Sequence, residues 1–286
     1  MSPQILITGA PGNVGSEVVK ALQAKGIPFR VGARDTQKAR QSLGDNMEIT
    51  RFDFLDRETY DASFAGIERL FLVRPPALSN VERDIGPAIL AAIKAGVQQI
   101  VFLSLQGVEK NAIVPHHKIE RLIVESGVHY TFLRASFFMQ NLSTTQASEI
   151  RDHSEIALPV GQAKTSFIDV RDIAAVSVYA LTENYDEDHK YTLTGKEALD
   201  YFQVSEKLSS VLFRTIRYTN PSILHFVWKQ LASGRKLGYT LVVAGLYTLT
   251  RFGNATSITH DFEAVLGREP ISFDQFAQDY RHCWQA

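Results

Sequence analysis

Eight residues near the N-terminus, Thr8-Gly9-Ala10-Pro11-Gly12-Asn13-Val14-Gly15, have the composition of a phosphate cradle. Glycines let backbone N–H groups approach a pyrophosphate, and a helix starting there offers its positive dipole end to the charge. The spacing G-x-x-G-x-x-G is one residue longer than the G-x-G-x-x-G dinucleotide fingerprint. Arg34 stands nineteen residues beyond Gly15, with Lys38 four further on, where one helical face carries both. After the second strand of a dinucleotide fold, an acid meets the ribose 2′-hydroxyl and an arginine meets a 2′-phosphate. The two cations favour NADP(H) over NAD(H), with Asp35 as the dissenting residue. Asp53 and Phe54, further along, suit the adenine: Asp53 accepting from its exocyclic amine, or else capping a helix, and Phe54 lying against the ring.

The elements that must position these residues follow a strict rhythm. Short apolar runs at Ile5–Ile7, Phe29–Ala33, Ile49–Phe52, Leu70–Val73, Ile100–Leu103 and Tyr130–Leu133 alternate with segments of helical period. Val14, Val18, Val19 and Leu22 mark the first helix, ending at Gly26; Ile85, Ile89 and Ile93 mark a later one, and Pro115 opens another. Strands apolar on both faces and joined by helices predict an α/β, Rossmann-type doubly wound parallel sheet. Beyond about residue 140 the rhythm loosens into a short strand at Ser166–Asp169, a helix at Ile173–Leu181, a solvated loop at Glu183–Lys190, a late strand at Tyr191–Leu193 and mainly helix from Asp200. The predicted division is 1–150 as the NAD(P)-binding domain, with 165–195 returning to it, and 196–286 as a smaller, mainly helical substrate lobe.

Composition narrows the function classes. Thirty basic and thirty-one acidic residues leave a formal charge of −1, so no global field favours nucleic acid; Lys229, Arg235 and Lys236 form only a weak local patch. Cys283 is the single cysteine, which excludes an intramolecular disulfide and a cysteine metal cluster, and it reads as buried filler. The segment MSPQILITGA lacks the pattern of a secretory signal, giving the cytoplasm as the expected location. The most apolar window, Leu237–Leu249, has about two thirds of the roughly 20 residues a membrane span needs and reads as a buried or ligand-facing helix. The expected partners are therefore a small-molecule substrate, no nucleic acid and no membrane, with a homodimer as the candidate assembly.

Taken in order along nearly the whole chain, TGAPGNVG (8–15), ARDTQKA (33–39), FDFLD (52–56), VRPP (73–76), VFLSLQGV (101–108), HHKIERLIVESGVHYTFLRASFFMQNL (116–142), FIDVRDIAAV (167–176), YTLTGKEAL (191–199) and VLGREPISFDQFAQDY (265–280) resemble the NmrA-like branch of the atypical short-chain dehydrogenase/reductases. That family includes triphenylmethane reductases, NADPH-dependent quinone reductases and redox-sensing regulators. The resemblance implies a Rossmann lobe binding NAD(P), with a smaller C-terminal lobe closing over the nicotinamide. It implies that Gly9, Pro11, Gly12, Asn13, Val14 and Gly15 hold the pyrophosphate, Arg34 and Lys38 the 2′-phosphate, and Asp53 and Phe54 the adenine edge. Val73 and Arg74 would pass the nicotinamide ribose, Ser104 follows strand five, and Phe137 and Phe138 would lie beside the nicotinamide.

One departure matters. Typical short-chain dehydrogenases use Tyr-x-x-x-Lys to pass a proton while hydride moves. Alignment on Glu120 puts His116 in the lysine slot and Ala112 in the tyrosine slot, so the usual proton donor is missing. Hydride delivery to a conjugated acceptor such as a quinone or dye needs less acid catalysis, and Phe137, Phe138, Met139, Tyr239 and Tyr247 are candidates to line a slot for it. His116, as a cofactor contact or weak proton source, and Ser104 are the candidate catalytic residues. His116, His117 and Glu120 resemble a metal pair without a third ligand, so no metal is expected. Arg134 is expected to pair with a carboxylate, and Asp169 and Asp172 to cap the helix that follows them. The alternative function is a regulator that senses NADP(H) without turnover and binds a protein partner.

Overall fold

The computed structural model describes residues 4–183, 187–251, 253 and 255–285. Its strands are β1 (Ile5–Thr8), β2 (Arg30–Ala33), β3 (Glu48–Arg51), β4 (Arg69–Leu72), β5 (Gln99–Leu105), β6 (His129–Ala135), β7 (Glu155–Ile156), β8 (His189–Leu193) and β9 (Arg217–Tyr218). Its helices are α1 (Asn13–Ala24), α2 (Thr36–Leu43), α3 (Tyr60–Phe64), α4 (Gly86–Lys94), α5 (Pro115–Glu125), α6 (Gln140–Ser143), α7 (Ala147–His153), α8 (Val170–Thr182), α9 (Tyr201–Leu212), α10 (Ile223–Ala232), α11 (Leu237–Arg251), α12 (Asp261–Leu266) and α13 (Phe273–Asp279). Two compact units share the chain: Met1–Ala135 with Val170–Leu193, and Ser136–Asp169 with Thr194–Ala286.

The first unit is a seven-stranded sheet of order β3-β2-β1-β4-β5-β6-β8, parallel at every pairing. This is the doubly wound arrangement read from the apolar runs. Its central strands β1, β4 and β5 are buried because helices cover both faces, β5 from Gln99 through Ser104, while the edge strand β3 is not. On one side α1 packs along α8, the predicted Val14, Val18, Val19 and Leu22 stripe of α1 is buried, and Gly26 ends α1 with φ +66°. A core of Leu6, Phe52, Phe64, Ile89, Phe102, Ile119 and Phe132 forms within the same unit. The chain order reverses between β1 and β4, and an open α/β sheet binds its ligand at the carboxyl ends of such a pair.

The second unit is mainly helical, with the two-stranded pair β7–β9. Its core gathers Met139, Ile150, Phe167, Tyr201, Phe273, Phe276 and the fully buried Trp284. The Trp284 indole N–H donates to the Leu142 carbonyl at 2.8 Å, and Arg214 donates to the Ile150 and Trp284 carbonyls at 2.8 and 2.9 Å. These bonds fasten the C-terminus onto the unit.

Several expectations need correction. Ser166–Asp169 is no strand: the segment makes only isolated bridges, Thr165 to Leu199 and Phe138 to Ile168. In the expected loop Glu183–Lys190, His189 and Lys190 already belong to β8, while 184–186 lie outside the described residues. Cys283 is only half-buried, and Trp284 takes the buried position beside it. Of the two readings of Leu237–Leu249, buried or ligand-facing, the buried one fails at Leu237, Leu241, Val242 and Leu246, which α11 leaves exposed. No helix among the described residues is long and apolar enough to cross a membrane.

Candidate functional site

At the end of β1 the Thr8 hydroxyl donates to the Phe71 carbonyl and accepts from the Val73 N–H, each at 2.9 Å, tying β1 to β4 where the sheet reverses. Gly9 follows with φ +68°, and a Cβ there would lie 2.8 Å from the Val73 Cβ. Gly12 is the N-cap of α1, donates to the Gly9 carbonyl at 2.9 Å and brings no capping side chain. A Cβ on Gly15 would meet the Gly9 carbonyl oxygen at 2.3 Å and the Ala10 Cα at 2.7 Å, so α1 rests directly on the loop backbone. Val14 and Gly15 are buried in the first turn of α1, which carries no acidic residue, while Pro11 is exposed on the loop. Asn13 opens the helix, where its positive end favours an anion. The glycines thus make a backbone-lined cradle that side chains would fill, which fits a dinucleotide pyrophosphate.

Arg34 is exposed immediately after β2. Asp35 caps α2, accepting from the Gln37 and Lys38 N–H groups at 3.1 and 3.0 Å, with the Lys38 ammonium 3.7 Å from its carboxylate. The dissenting acid is therefore spent on helix capping. Asp53 closes a local turn, accepting from the Leu55 N–H at 3.0 Å, and caps no helix. Phe54 is buried in the core, edge-on to Phe52 at 4.8 Å, rather than offered to an adenine ring.

Ser104 is buried on β5 and donates to Glu120 at 2.6 Å. Glu120 also accepts a two-pronged bond from Arg134, at 3.1 and 2.6 Å, and Arg134 reaches Glu109 at 3.3 Å. This places the Arg134 carboxylate partner as expected. It also commits the Ser104 proton, leaving that hydroxyl as an acceptor only. Arg74 donates to the carbonyls of Pro75, Pro76 and Leu78 at 3.0, 3.2 and 2.8 Å, bracing the loop after β4, and its Nε is buried without a partner.

His116 begins α5 half-buried, stacked on Phe102 at 5.8 Å. Burial, together with the nearby Arg74 charge, pushes its pKa down to about 3. At physiological pH that lowered pKa leaves the ring neutral, without an imidazolium proton. An unfolded histidine titrates near 6.5, so between about 6.5 and 3 the unfolded chain binds a proton that the folded chain does not. His116 thus costs stability as pH falls through that window. The variant His116→Gln is expected to lose less stability than wild type between neutral pH and pH about 4, measured by urea unfolding at a series of pH values. Parallel wild-type and variant profiles would refute the assignment.

The second unit holds a cavity of about 140 Å³ walled by Phe137, Phe226 and Tyr247, with Asn141, Gln146 and Arg235 as polar lining. Phe226 and Tyr247 meet edge-on at 5.6 Å. Phe138 is bridged to Ile168 and Met139 is buried in the core of this unit, so neither lines the cavity; the Tyr239 side chain lies outside the described residues. His117 bonds the Val108 carbonyl at 3.1 Å, and no metal-binding group of three ligands occurs among the described residues.

A model of the NmrA-like family matches residues 1–259. The chain belongs to the NmrA-like family. An "NAD(P)H azoreductase" of Xenophilus azovorans is 33% identical to it over 280 residues, covering 96% of each chain. "Prestalk A differentiation protein A" of Dictyostelium discoideum is 31% identical over 278 residues, 96% of this chain and 91% of that one. An NADPH-dependent quinone oxidoreductase from Escherichia coli, solved with NADPH, superposes with a TM-score of 0.85 at 22% identity, over 96% of this chain and 99% of that one.

Two features of this NmrA-like chain escaped the sequence reading. Thr8 was only a motif letter, although a hydroxyl ending an apolar strand is the signal for a side chain that must bond backbone. Glu120 entered as part of a hypothetical metal pair. Its true signal is a carboxylate beside Ile119 on the buried face of α5, which requires a cation such as Arg134 on a neighbouring strand.

Proposed function

We propose that this protein is an NAD(P)H-dependent oxidoreductase that passes hydride to a conjugated small-molecule acceptor such as a quinone or dye, without a Tyr-x-x-x-Lys pair. The observation that carries the reading is the three-glycine cradle, in which Val73, the Gly9 carbonyl and the first turn of α1 leave room for backbone and phosphate but not for side chains. When bound, the reduced nicotinamide supplies the hydride. The cradle anchors the pyrophosphate, Thr8 holds β1 and β4 in register beneath it, and Arg74 stiffens the loop that Val73 begins.

The acceptor class follows from what the chain lacks. Ala112, exposed, occupies the tyrosine slot, and His116 is neutral. With no acid at these two positions, an acceptor that spreads negative charge by conjugation and takes its proton from water is the chemistry these residues serve. The aromatic cavity of the second unit suits one flat ring, since an apolar cavity of roughly 150 Å³ holds a benzene. Relatives named for azo and quinone reduction agree with that class. The test is NADPH oxidation by the purified protein with a panel of quinones, azo dyes and enals. Turnover with at least one acceptor is expected, and none above background with any of them would overturn the reading.

NADP(H) is the preferred cofactor because Arg34 and Lys38 offer cations beyond β2 while Asp35 is engaged as a cap. A hydrogen bond to a charged group is worth roughly 1.5–3 kcal/mol, so Arg34→Ala is expected to weaken NADPH binding roughly 10- to 100-fold and leave NADH nearly unchanged. Titration of both nucleotides by intrinsic fluorescence checks this, and an equal loss for both would reject it.

A second reading, an NADP(H) sensor that acts through a protein partner, is favoured by the similarity to a relative named for cell differentiation. Tight nucleotide binding with no acceptor turnover would select it.

A further inference from the structure

Residues 208–260 contain no Asp or Glu but six Lys or Arg, namely Arg214, Arg217, Lys229, Arg235, Lys236 and Arg251, in a chain whose overall formal charge is −1. Within this stretch α10 and α11 pack on each other, and both turn large apolar side chains outward. On α10 Leu224, Trp228 and Leu231 recur at i, i+4 and i+7; Leu224 is 82% exposed and Trp228 65%. On α11 Leu237, Leu241, Val242 and Leu246 form the exposed stripe, Val242 at 63%. The inward side of α11 carries Thr240, Ala244 and Thr250, and the Thr240 hydroxyl is buried without a partner.

This is the reverse of a helix built for water, which turns polar residues out and aliphatic ones in. Seven of the fifteen large hydrophobic residues exposed among the described residues lie on these two helices. Their connecting turn carries the exposed Lys236 and the half-buried Arg235, which also lines the cavity; the described residues supply neither with an acidic partner, whereas Lys229 is paired with Glu149. At 10 and 15 residues the helices are too short to span a bilayer.

We propose that the α10–α11 pair docks onto an anionic lipid surface, with Trp228 and the leucines entering the headgroup–acyl boundary and Arg235 and Lys236 meeting lipid phosphates. An apolar face with tryptophan and leucine, flanked by lysine and arginine, is the composition of an interfacial helix. Charge decides between lipid and a second copy of the chain. A two-fold contact through this face would set the cations of 208–260, a stretch without Asp or Glu, against one another, whereas an anionic leaflet supplies opposite charge. The docking goes beyond the redox reading and does not depend on it.

Vesicle flotation tests the proposal with the full chain and vesicles of phosphatidylcholine, with or without phosphatidylglycerol, at low ionic strength. Binding about tenfold stronger to the anionic vesicles is expected, falling as salt is added. Brominated acyl chains should quench Trp228 and spare the buried Trp284. The double variant Leu237→Gln/Leu241→Gln, at exposed positions, should bind vesicles about tenfold more weakly with NADPH affinity unchanged, and Lys236→Glu should weaken binding in the same direction. Three results would overturn the proposal: no flotation with anionic vesicles, undiminished flotation of the double variant, or a dimer that the double variant dissolves in a protein without vesicle affinity. The last would assign the face to a second copy.

Discussion

Replacing Gly15 with alanine is expected to weaken NADPH binding about 100-fold, through loss of about two charged hydrogen bonds at the pyrophosphate. The added Cβ would sit 2.3 Å from the Gly9 carbonyl oxygen and 2.7 Å from both the Gly9 carbonyl carbon and the Ala10 Cα. All three are backbone atoms, so no rotamer relieves the clash, and α1 must lift off the loop that its first turn completes. Alanine in a helix gains up to about 1 kcal/mol over glycine, but overpacking costs about 1–3 kcal/mol, so the steric term wins. Gly245 on α11 provides the contrast, because a Cβ there meets nothing within 4 Å. Gly245→Ala should keep nucleotide affinity and gain up to about 1 kcal/mol of stability. Calorimetric titration of both variants with NADPH checks the pair, and wild-type affinity in a folded Gly15→Ala protein would falsify the cradle assignment.

The second large effect is expected at Glu120. Its carboxylate is buried and answers three groups at once: the Ser104 hydroxyl and two arms of Arg134. Arg134 is largely buried, and its pKa is raised chiefly by the hydrogen bond to Glu120. Truncation to alanine strands the guanidinium with only the partly exposed Glu109 at 3.3 Å, and leaves the buried Ser104 without its acceptor. Breaking a buried pair by removing one partner costs about 3–5 kcal/mol, and the surviving Glu109 contact argues for the lower end. Glu120→Ala should therefore lose about 3 kcal/mol in urea unfolding, and Glu120→Gln, which keeps an acceptor for Ser104, should lose less. A loss below about 0.5 kcal/mol would mean that the network contributes no more than a surface pair.

The sheet was legible because its physical signal is strong and local. A strand covered on both faces must be apolar at consecutive positions, and Ile100 through Leu103 can be little else. The cradle was legible for a similar reason, since Gly9 needs positive φ and Gly15 needs the absence of a side chain. The adenine side was not. Phe54 looks like a ring-stacking residue until the Phe52 and Tyr60 rings around it become visible, and those contacts are set by tertiary packing. Helix α11 misled for a different reason. Its residues are apolar around nearly the whole circumference, so periodicity names no inward face, and small Ala244 and the threonines turned inward. The Ser166–Asp169 segment has strand-like composition, yet it makes one isolated bridge, at Ile168, with another just before it at Thr165. His116 was singled out by alignment on Glu120, but its protonation state depends on burial and on Arg74, neither of which its neighbours in sequence reveal.

The path of the chain through its two units also governs how the protein can be made. The last strand of the sheet, β8, and the helix that covers α1, α8, are both encoded after the excursion that begins at Ser136. During synthesis the first 135 residues therefore emerge with β6 as a bare seven-residue edge and with α1 lacking its α8 partner. A ribosome must add nearly sixty more residues before that edge is paired at Leu193. An open edge of apolar strand is a template for pairing with other chains. Fragments ending near Ala135 should aggregate when expressed alone, and a nascent chain paused in this interval is the form of the protein with most need of a chaperone.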